Sequence, residues 1–276
     1  MTTTTVPLRR GPTLGQLLPA EWIKFRSLRS TYWAAGLAIL FTFLLSTGLI
    51  LATTLVPEEV NADPRAVIID QAGENPSVTT LAFGYMFAQY VVAVLGVLIV
   101  SAERGSGLLN MTLAAVPQRT PVYLAKLILS GATGFLLGLV SSLLSFFSVQ
   151  PALAGLGLGA DIADIRVIQV ILGGSLYLGL IAILSTALGS LFRSTASGAG
   201  VVLSLLIFAP GLVVLIPGGI GGFLTQILPT TAGMMLYQPA DAIGWPAVLT
   251  GLLILLGWAV ISAVVAGVLF KRRDVT

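Results

Sequence analysis

The sequence predicts an all-α polytopic membrane protein with six transmembrane helices, and three observations predict it. First, only 9% of the 276 residues are charged while 56% are hydrophobic, with a mean hydropathy of +1.00. Second, the charges delimit long uncharged runs. A span needs roughly 20 such residues, since about 30 Å of hydrocarbon is crossed at 1.5 Å per residue. Third, if every run crosses, all but Arg65 and Arg166 of the 14 basic residues fall on one side. A soluble domain carries roughly 25% charged residues, so lipid must be the solvent for most of this chain.

From the N-terminus, Thr2–Thr5 reads as a disordered tail. No secretory signal is evident, because the first apolar run begins near Trp33 and has no small-residue cleavage site at its end. Residues 1–32 are expected to hold a cytoplasmic tail and an interfacial amphipathic elbow helix. Within Leu14–Trp33, Pro19 suits a first helical turn and Glu21 the positive end of the dipole. Leu18, Trp22 and Phe25 share a narrow face with Lys24 and Arg26 to either side, so the basic side chains face anionic headgroups. The chain would then turn into span 1 at Ser30–Trp33. On charge alone a plain topology anchor is the favoured reading of this segment.

The six spans are expected at about 33–56, 78–102, 122–148, 167–192, 197–216 and 246–270, a single domain of 33–270 followed by a cytoplasmic tail, 271–276. Arg9, Arg10, Lys24, Arg26 and Arg29 precede the first span. Arg104, Arg119 and Lys126 flank the loop between spans 2 and 3, Arg193 follows span 4, and Lys271, Arg272 and Arg273 follow span 6. Glu58, Glu59, Asp63, Asp70, Glu74, Asp161, Asp164 and Asp241 lie on the opposite side. Both termini are therefore expected in the cytoplasm. In the outer loop Pro57–Ser77, Asp63-Pro64 starts a short helix and Gly73 stops it, with Val67 and Ile68 between. Its acids keep the loop solvated; no metal-ligand spacing is present.

From Ser194 to Ala240 no residue is charged, but Pro210-Gly211, Pro217-Gly218-Gly219, Gly221-Gly222 and Pro229 interrupt the run. Gly218–Tyr237 is read as a partly re-entrant outer hairpin between spans 5 and 6, which protein must then cover. An apolar loop lying in the headgroup region is the alternative.

The loop from Glu103 to Lys126 carries the strongest functional signal. A short helix is expected from Ser106 or Gly107 to about Ala115, ended by Pro117. Leu108, Leu109, Leu113 and Val116 need cover, which favours a docked protein partner over a solvated connection. Gln89, flanked by Tyr85 and Tyr90, is the most polar candidate inside a span. It either lines a cavity with Tyr85 or makes a satisfied interhelical hydrogen bond, the second being favoured. Gly134 and Gly138 are a weak small-residue packing signal. With Lys126 counted to the cytoplasmic end of span 3, no ionisable residue is expected within a span, which argues against ion-coupled transport.

The chain has no cysteine and no histidine. That excludes thiolate chemistry, Cys/His zinc sites and imidazole acid–base catalysis. None of Lys24, Lys126 or Lys271 follows a glycine, so a phosphate-cradling loop is missing too. The chain is not expected to be an enzyme, and nucleotide hydrolysis would have to come from another polypeptide.

The stretch Glu21-Trp22-Ile23-Lys24-Phe25-Arg26-Ser27-Leu28-Arg29-Ser30-Thr31 resembles the N-terminal helix of bacterial ABC-2-type ABC transporter permeases. Glu103, Gly107, Thr112, Leu113, Ala114, Pro117, Arg119 and Lys126 match their coupling segment in order and spacing. Arg193, Leu228-Pro229-Thr230-Thr231-Ala232-Gly233 and Lys271-Arg272-Arg273-Asp274 also fit, so the resemblance runs along nearly the whole chain. Arg104, Leu108 and Asn110 depart from the family pattern.

The resemblance implies a transmembrane subunit of an ATP-binding cassette transporter in the plasma (inner) membrane. It would be paired with a second permease copy or a related permease and with two copies of a separate ATP-binding subunit. ATP and Mg would bind on that partner and no cofactor on this chain; the other surroundings are lipid, with no role for nucleic acid. Glu103, Gly107, Leu109, Thr112, Leu113, Pro117 and Arg119 would form the ATPase-coupling loop, and Glu21, Trp22, Lys24, Phe25, Arg26 and Arg29 the elbow helix. Family members are mostly exporters, which implies export of an amphipathic, drug-like or lipid-like cargo. A self-sufficient membrane carrier or channel is the alternative.

Overall fold

The computed structural model describes residues 13–27, 29–54, 63–73, 75–105 and 119–272, and among these every regular element is helical. In chain order these are α1 (Leu14–Ser27), α2 (Arg29–Thr54), α3 (Pro64–Ala72), α4 (Pro76–Gly105), α5 (Arg119–Gly155), α6 (Ile165–Gly189), α7 (Thr195–Leu203), α8 (Ala209–Val214), α9 (Gly219–Ile227), α10 (Pro229–Met234), α11 (Ala240–Ile243) and α12 (Trp245–Arg272). Six helical stretches are long and apolar enough to cross a membrane: α2, α4, α5, α6, α7 continued through α8, and α12. They fit a multi-pass membrane protein.

α4 and α6 form the middle of the bundle and are the most buried of the six; α2, α7–α8 and α12 are the least. α6 packs on α4, α5 and α12, while α2 covers α4 and α5. Small residues allow the close approach in the middle. A β-carbon on Gly134 would meet the Leu178 carbonyl at 2.6 Å, and one on Gly138 the Ser175 α-carbon at 2.8 Å. Hydroxyls then cross-link the helices. The Ser130 hydroxyl donates to the Ala182 carbonyl at 2.8 Å, and Thr186 to the Gly96 carbonyl at 2.9 Å. Such bonds keep polar groups satisfied where no water reaches them.

The two ends of the bundle differ in charge. At one end the start of α2, the end of α4 and the start of α5 meet through Ala34, Leu95, Ile99 and Leu129. The end of α6 joins them there through Ala187 against Tyr123 and Leu127. Lys24, Arg26, Arg119, Lys126 and Arg193 belong to this end. At the other, Ile50, Ile68, Ala72, Val149 and Leu153 pack together, beside Asp63, Asp70, Asp161, Asp164 and Asp241 and the cations Arg65 and Arg166. α3 caps this second end. The Asp63 carboxylate accepts the Arg65 N–H at 3.0 Å, and Gly73 closes the helix at φ +73° with its N–H on the Ile69 carbonyl at 2.8 Å. Both stops are those the sequence predicts, because caps are local chemistry.

Three expectations need correction. α1 begins at Leu14, so Pro19 lies inside it, not in its first turn. The Gln16 side chain accepts the Thr13 N–H at 3.1 Å, part of a Thr-x-x-Gln capping box that starts the helix earlier. The buried face of α1 is Leu17, Glu21 and Phe25, whereas Trp22 is 49% exposed. α5 does not stop at residue 148 but runs 37 residues through Pro151 to Gly155, about 55 Å of helix. Burial of Val149 and Leu153 under α3 holds its last turns. Span 5 falls where expected, over Thr195–Val214, and within it Ser204–Phe208 forms a π turn in which the Ala209 N–H bonds the Ser204 carbonyl. Pro210 follows, with no N–H to continue a regular ladder, and a π turn accommodates that gap.

α9 and α10 form a helical hairpin between the last two spans. Its turn reaches the middle of α12, where the Trp258 indole N–H donates to the Ile227 carbonyl at 2.7 Å. α10 is wedged between α6 and α12. Gly233 lies on the Tyr177 ring, and a β-carbon on Gly251 would meet the Ala232 carbonyl at 2.5 Å. Gln169 of α6 anchors the segment beyond, donating to the Gln238 carbonyl and accepting the Ala240 N–H, both at 2.9 Å.

Candidate functional site at the basic end of the bundle

α1 lies along the first turns of α5. Leu17, Glu21 and Phe25 recur every four residues and therefore share one face. Leu17 packs on Val122 and Ala125, and Phe25 on the cluster of Ala34, Leu95, Ile99 and Leu129. Glu21 stands between these two apolar contacts. Its Oε2 accepts a hydrogen bond from Lys126 Nζ at 2.6 Å, and its Oε1 one from Lys24 Nζ at 2.7 Å. Glu21 is 3% exposed and Lys126 1%. The Trp22 ring stacks on Phe25 with centroids 5.9 Å apart, leaving Trp22, Ile23 and Arg26 on the open side of the helix.

The expectation that no ionisable residue lies within a span therefore fails at Lys126, a buried cation within α5, two turns from Arg119. Removing two charges from water costs several kcal/mol each, and close pairing roughly offsets that cost. Such a pair contributes little net stability but specifies one docking geometry, because either charge left alone is heavily penalised. Of the residues expected in the elbow helix, Glu21 and Phe25 thus hold it to the bundle, Lys24 pairs with Glu21 at the edge of that face, and Trp22 and Arg26 face outward. Arg29 begins α2.

Glu103 falls in the last turn of α4 and Arg119 in the first turn of α5. Gly107, Leu109, Thr112, Leu113 and Pro117, and with them the expected coupling helix, lie outside the described residues, as do the N-terminal tail and Arg273. α4, α5 and α1 nevertheless bracket the segment. All three converge where Phe25, Ile99 and Leu129 pack together.

Beside this point a half-open apolar groove of about 320 Å³ runs between the start of α5 and the end of α12. Arg119 and Thr120 stand at one end and Leu127 and Val260 at the other. Tyr123 braces the two walls by donating its hydroxyl to the Ala263 carbonyl at 3.2 Å.

Tyr85 and Gln89 are buried in the middle of the bundle. The Tyr177 hydroxyl donates to Gln89 Oε1, Gln89 Nε2 donates to the Met86 carbonyl at 2.7 Å, and the Tyr85 hydroxyl to the Ile171 carbonyl at 3.1 Å. Tyr237 stacks its ring 5.5 Å from Tyr85 and 5.6 Å from Tyr177. The result is a neutral, hydrogen-bonded knot joining α4, α6 and the segment after α10. Sequence reasoning missed Tyr177 and Tyr237. The available signal was Gly174 and Gly233, whose missing side chains make room for the Tyr85 and Tyr177 rings.

Among the described residues no group of three or more carboxylates converges on a common point where a metal could bind. No protein-family model matches the chain, and no curated protein matches it.

Proposed function

We propose that this chain is the membrane-spanning subunit of an ATP-driven transporter of the ABC-2 type, moving an amphipathic, lipid-like or drug-like cargo outward. In this reading ATP is bound and hydrolysed by a separate subunit docked on residues 103–119, and a second permease copy or a related one completes the path. The charge-rich basic end faces the cytoplasm, as the excess of Lys and Arg on that side requires. Both termini then lie inside, and α9–α10 form a re-entrant hairpin entering from the outer side, its turn covered by α6 and α12.

The observation that carries the reading is the Glu21–Lys126 clamp. It fastens α1 to α5 immediately after the docking segment, with α4 immediately before it. A force applied at 106–118 would therefore move α1, α4 and α5 as one body instead of being lost in a loose loop. The same apolar segment, with Leu108, Leu109, Leu113 and Val116, needs a protein surface to cover it.

The test is copurification from native membranes. An ATPase subunit should accompany the chain, and a charge at Leu109 or Leu113 should release it while helix content and thermal unfolding stay unchanged. If the complex survives replacement of 106–118 by a Gly/Ser linker, the docking role is wrong. Cargo flux into liposomes by this chain alone, without ATP, would establish the self-sufficient carrier instead.

A further inference from the structure

We infer that two copies of this chain pair in the membrane through the open side of α7 and α9, joined at the bilayer midplane by hydrogen bonds from Gln226 and Ser204. The premise is only that the six apolar helices cross a membrane. The inference gives a surface to the second copy of the transporter reading, yet it can fail while that reading stands, since copies that meet elsewhere would still form a path.

The Ile227 carbonyl accepts the Trp258 indole N–H, and Trp258 sits near the middle of the span Trp245–Leu269. Gln226, the preceding residue, is therefore close to the midplane, on the exposed face of α9 with Ile220 and Phe223. Ser204 lies near the middle of the span Thr195–Val214 and is exposed as well. Neither side chain has a hydrogen-bond partner among the described residues. Hydrocarbon satisfies neither group. Other hydroxyls on the outer surface are returned to their own helix: Thr133 donates to the Leu129 carbonyl at 2.7 Å and Thr250 to the Pro246 carbonyl at 2.8 Å. A carboxamide, with two donor hydrogens and an acceptor oxygen, needs more than its own helix offers.

The surroundings of Ser204 suit a second helix. In lipid no hydrophobic force draws helices together, so a pairing face is marked by small residues and polar side chains. Ala196, Gly200 and Ser204 recur every four residues on α7 and all are exposed. A β-carbon on Gly200, or on Gly211 further along, would meet nothing within 4 Å, which leaves the backbone open to close approach. The outer side of α12 is the contrast, with Leu249, Leu253, Val260, Ile261 and Val264 each more than half exposed, a bulky aliphatic face that lipid covers.

Polarity then selects the occupant. Acyl chains offer Gln226 no partner, and a transported cargo would meet it only in passing. A second copy meets it permanently. Because a carboxamide both donates and accepts, two identical ones satisfy each other across a twofold axis.

The chain has no cysteine, so a single one reports the contact in native membranes. Gly222→Cys lies one turn from Gln226 on the same face of α9, with nothing within 4 Å of the added carbon. Leu253→Cys on α12, 69% exposed, is the control. Oxidation should link two copies at Gly222→Cys and not at Leu253→Cys. In liposomes, energy transfer between labelled copies titrated against lipid gives the association constant. Gln226→Leu should weaken it about five- to thirtyfold, the range of an interhelical hydrogen bond in lipid. Gly200→Leu should weaken it at least as much by holding the helices apart. Both positions are exposed, so helix content and thermal unfolding of the single copy should stay unchanged.

Equal linking at the two cysteine positions overturns the proposal, as does an association constant that Gln226→Leu or Gly200→Leu leaves unchanged. A chain that stays monomeric in liposomes overturns it too and leaves the carboxamide to lipid or to a cargo. No ATPase enters either measurement, so their failure is distinct from failure of the transport proposal.

Discussion

Substituting Glu21 by Gln removes a charge and little else. Lys126, 1% exposed, then loses the carboxylate oxygen that accepts from its Nζ at 2.6 Å. Breaking a buried pair from one side costs about 3–5 kcal/mol, because the remaining charge keeps its desolvation cost. Lys24 adds little to this figure, since it is 26% exposed and ion pairs of that kind contribute at most about 1 kcal/mol. The cost falls on the docking of α1, which is joined to α5 mainly through this face. At about 1.4 kcal/mol per tenfold, the undocked population of α1 should rise by roughly two to three and a half orders of magnitude.

The chain contains no cysteine, so a single Cys at Leu17 reports the opening directly. Leu17 is 6% exposed and rests on Val122 and Ala125. Maleimide labelling in the Leu17→Cys background should accelerate by about 10² to 10³ in Glu21→Gln and similarly in Lys126→Met. The double variant Glu21→Leu with Lys126→Met should return to within about tenfold of the parent, because an apolar pair of similar volume leaves no orphaned charge. Unchanged labelling in Glu21→Gln, or additive effects in the double variant, would refute the clamp.

Gly134→Ala should lower stability by about 1–3 kcal/mol in an SDS titration, as the new methyl has no room against Leu178 and Ala182. Gly36→Ala, with nothing within 4 Å of the added carbon, should stay within about 0.5 kcal/mol of the parent; equal effects would deny the close α5–α6 approach. Tyr177→Phe should cost about 1–2 kcal/mol by leaving Gln89 Oε1 buried without a donor, and adding Gln89→Leu should recover most of it. Trp258→Phe removes the hydrogen bond to Ile227 and should raise amide exchange across 225–236 about tenfold. Protection that stays unchanged would mean the indole does not hold the hairpin.

Much of the architecture was legible before any coordinates. Six uncharged runs of span length became six apolar helices, since a chain in lipid has few other ways to satisfy its backbone. Asp63-Pro64 and Gly73 mark the ends of α3 by side-chain and φ preferences that act over a few residues. The Thr13-x-x-Gln16 cap was just as readable, and overlooking it misplaced Pro19. The packing of Gly134 and Gly138 was visible only as a weak spacing, because glycine is frequent in spans whatever it faces.

The sequence by itself determined where the chain is apolar enough to cross a membrane and how its charges are apportioned between the two ends. Both follow from composition summed over neighbouring residues. Tertiary structure alone decided that Glu21 meets Lys126, 105 positions away, and that Tyr177 reaches Gln89, 88 positions away. It also decided which face of α1 is buried. Hydropathy records that a residue is polar but not whether a partner from another helix satisfies it, and that depends on how the helices pack.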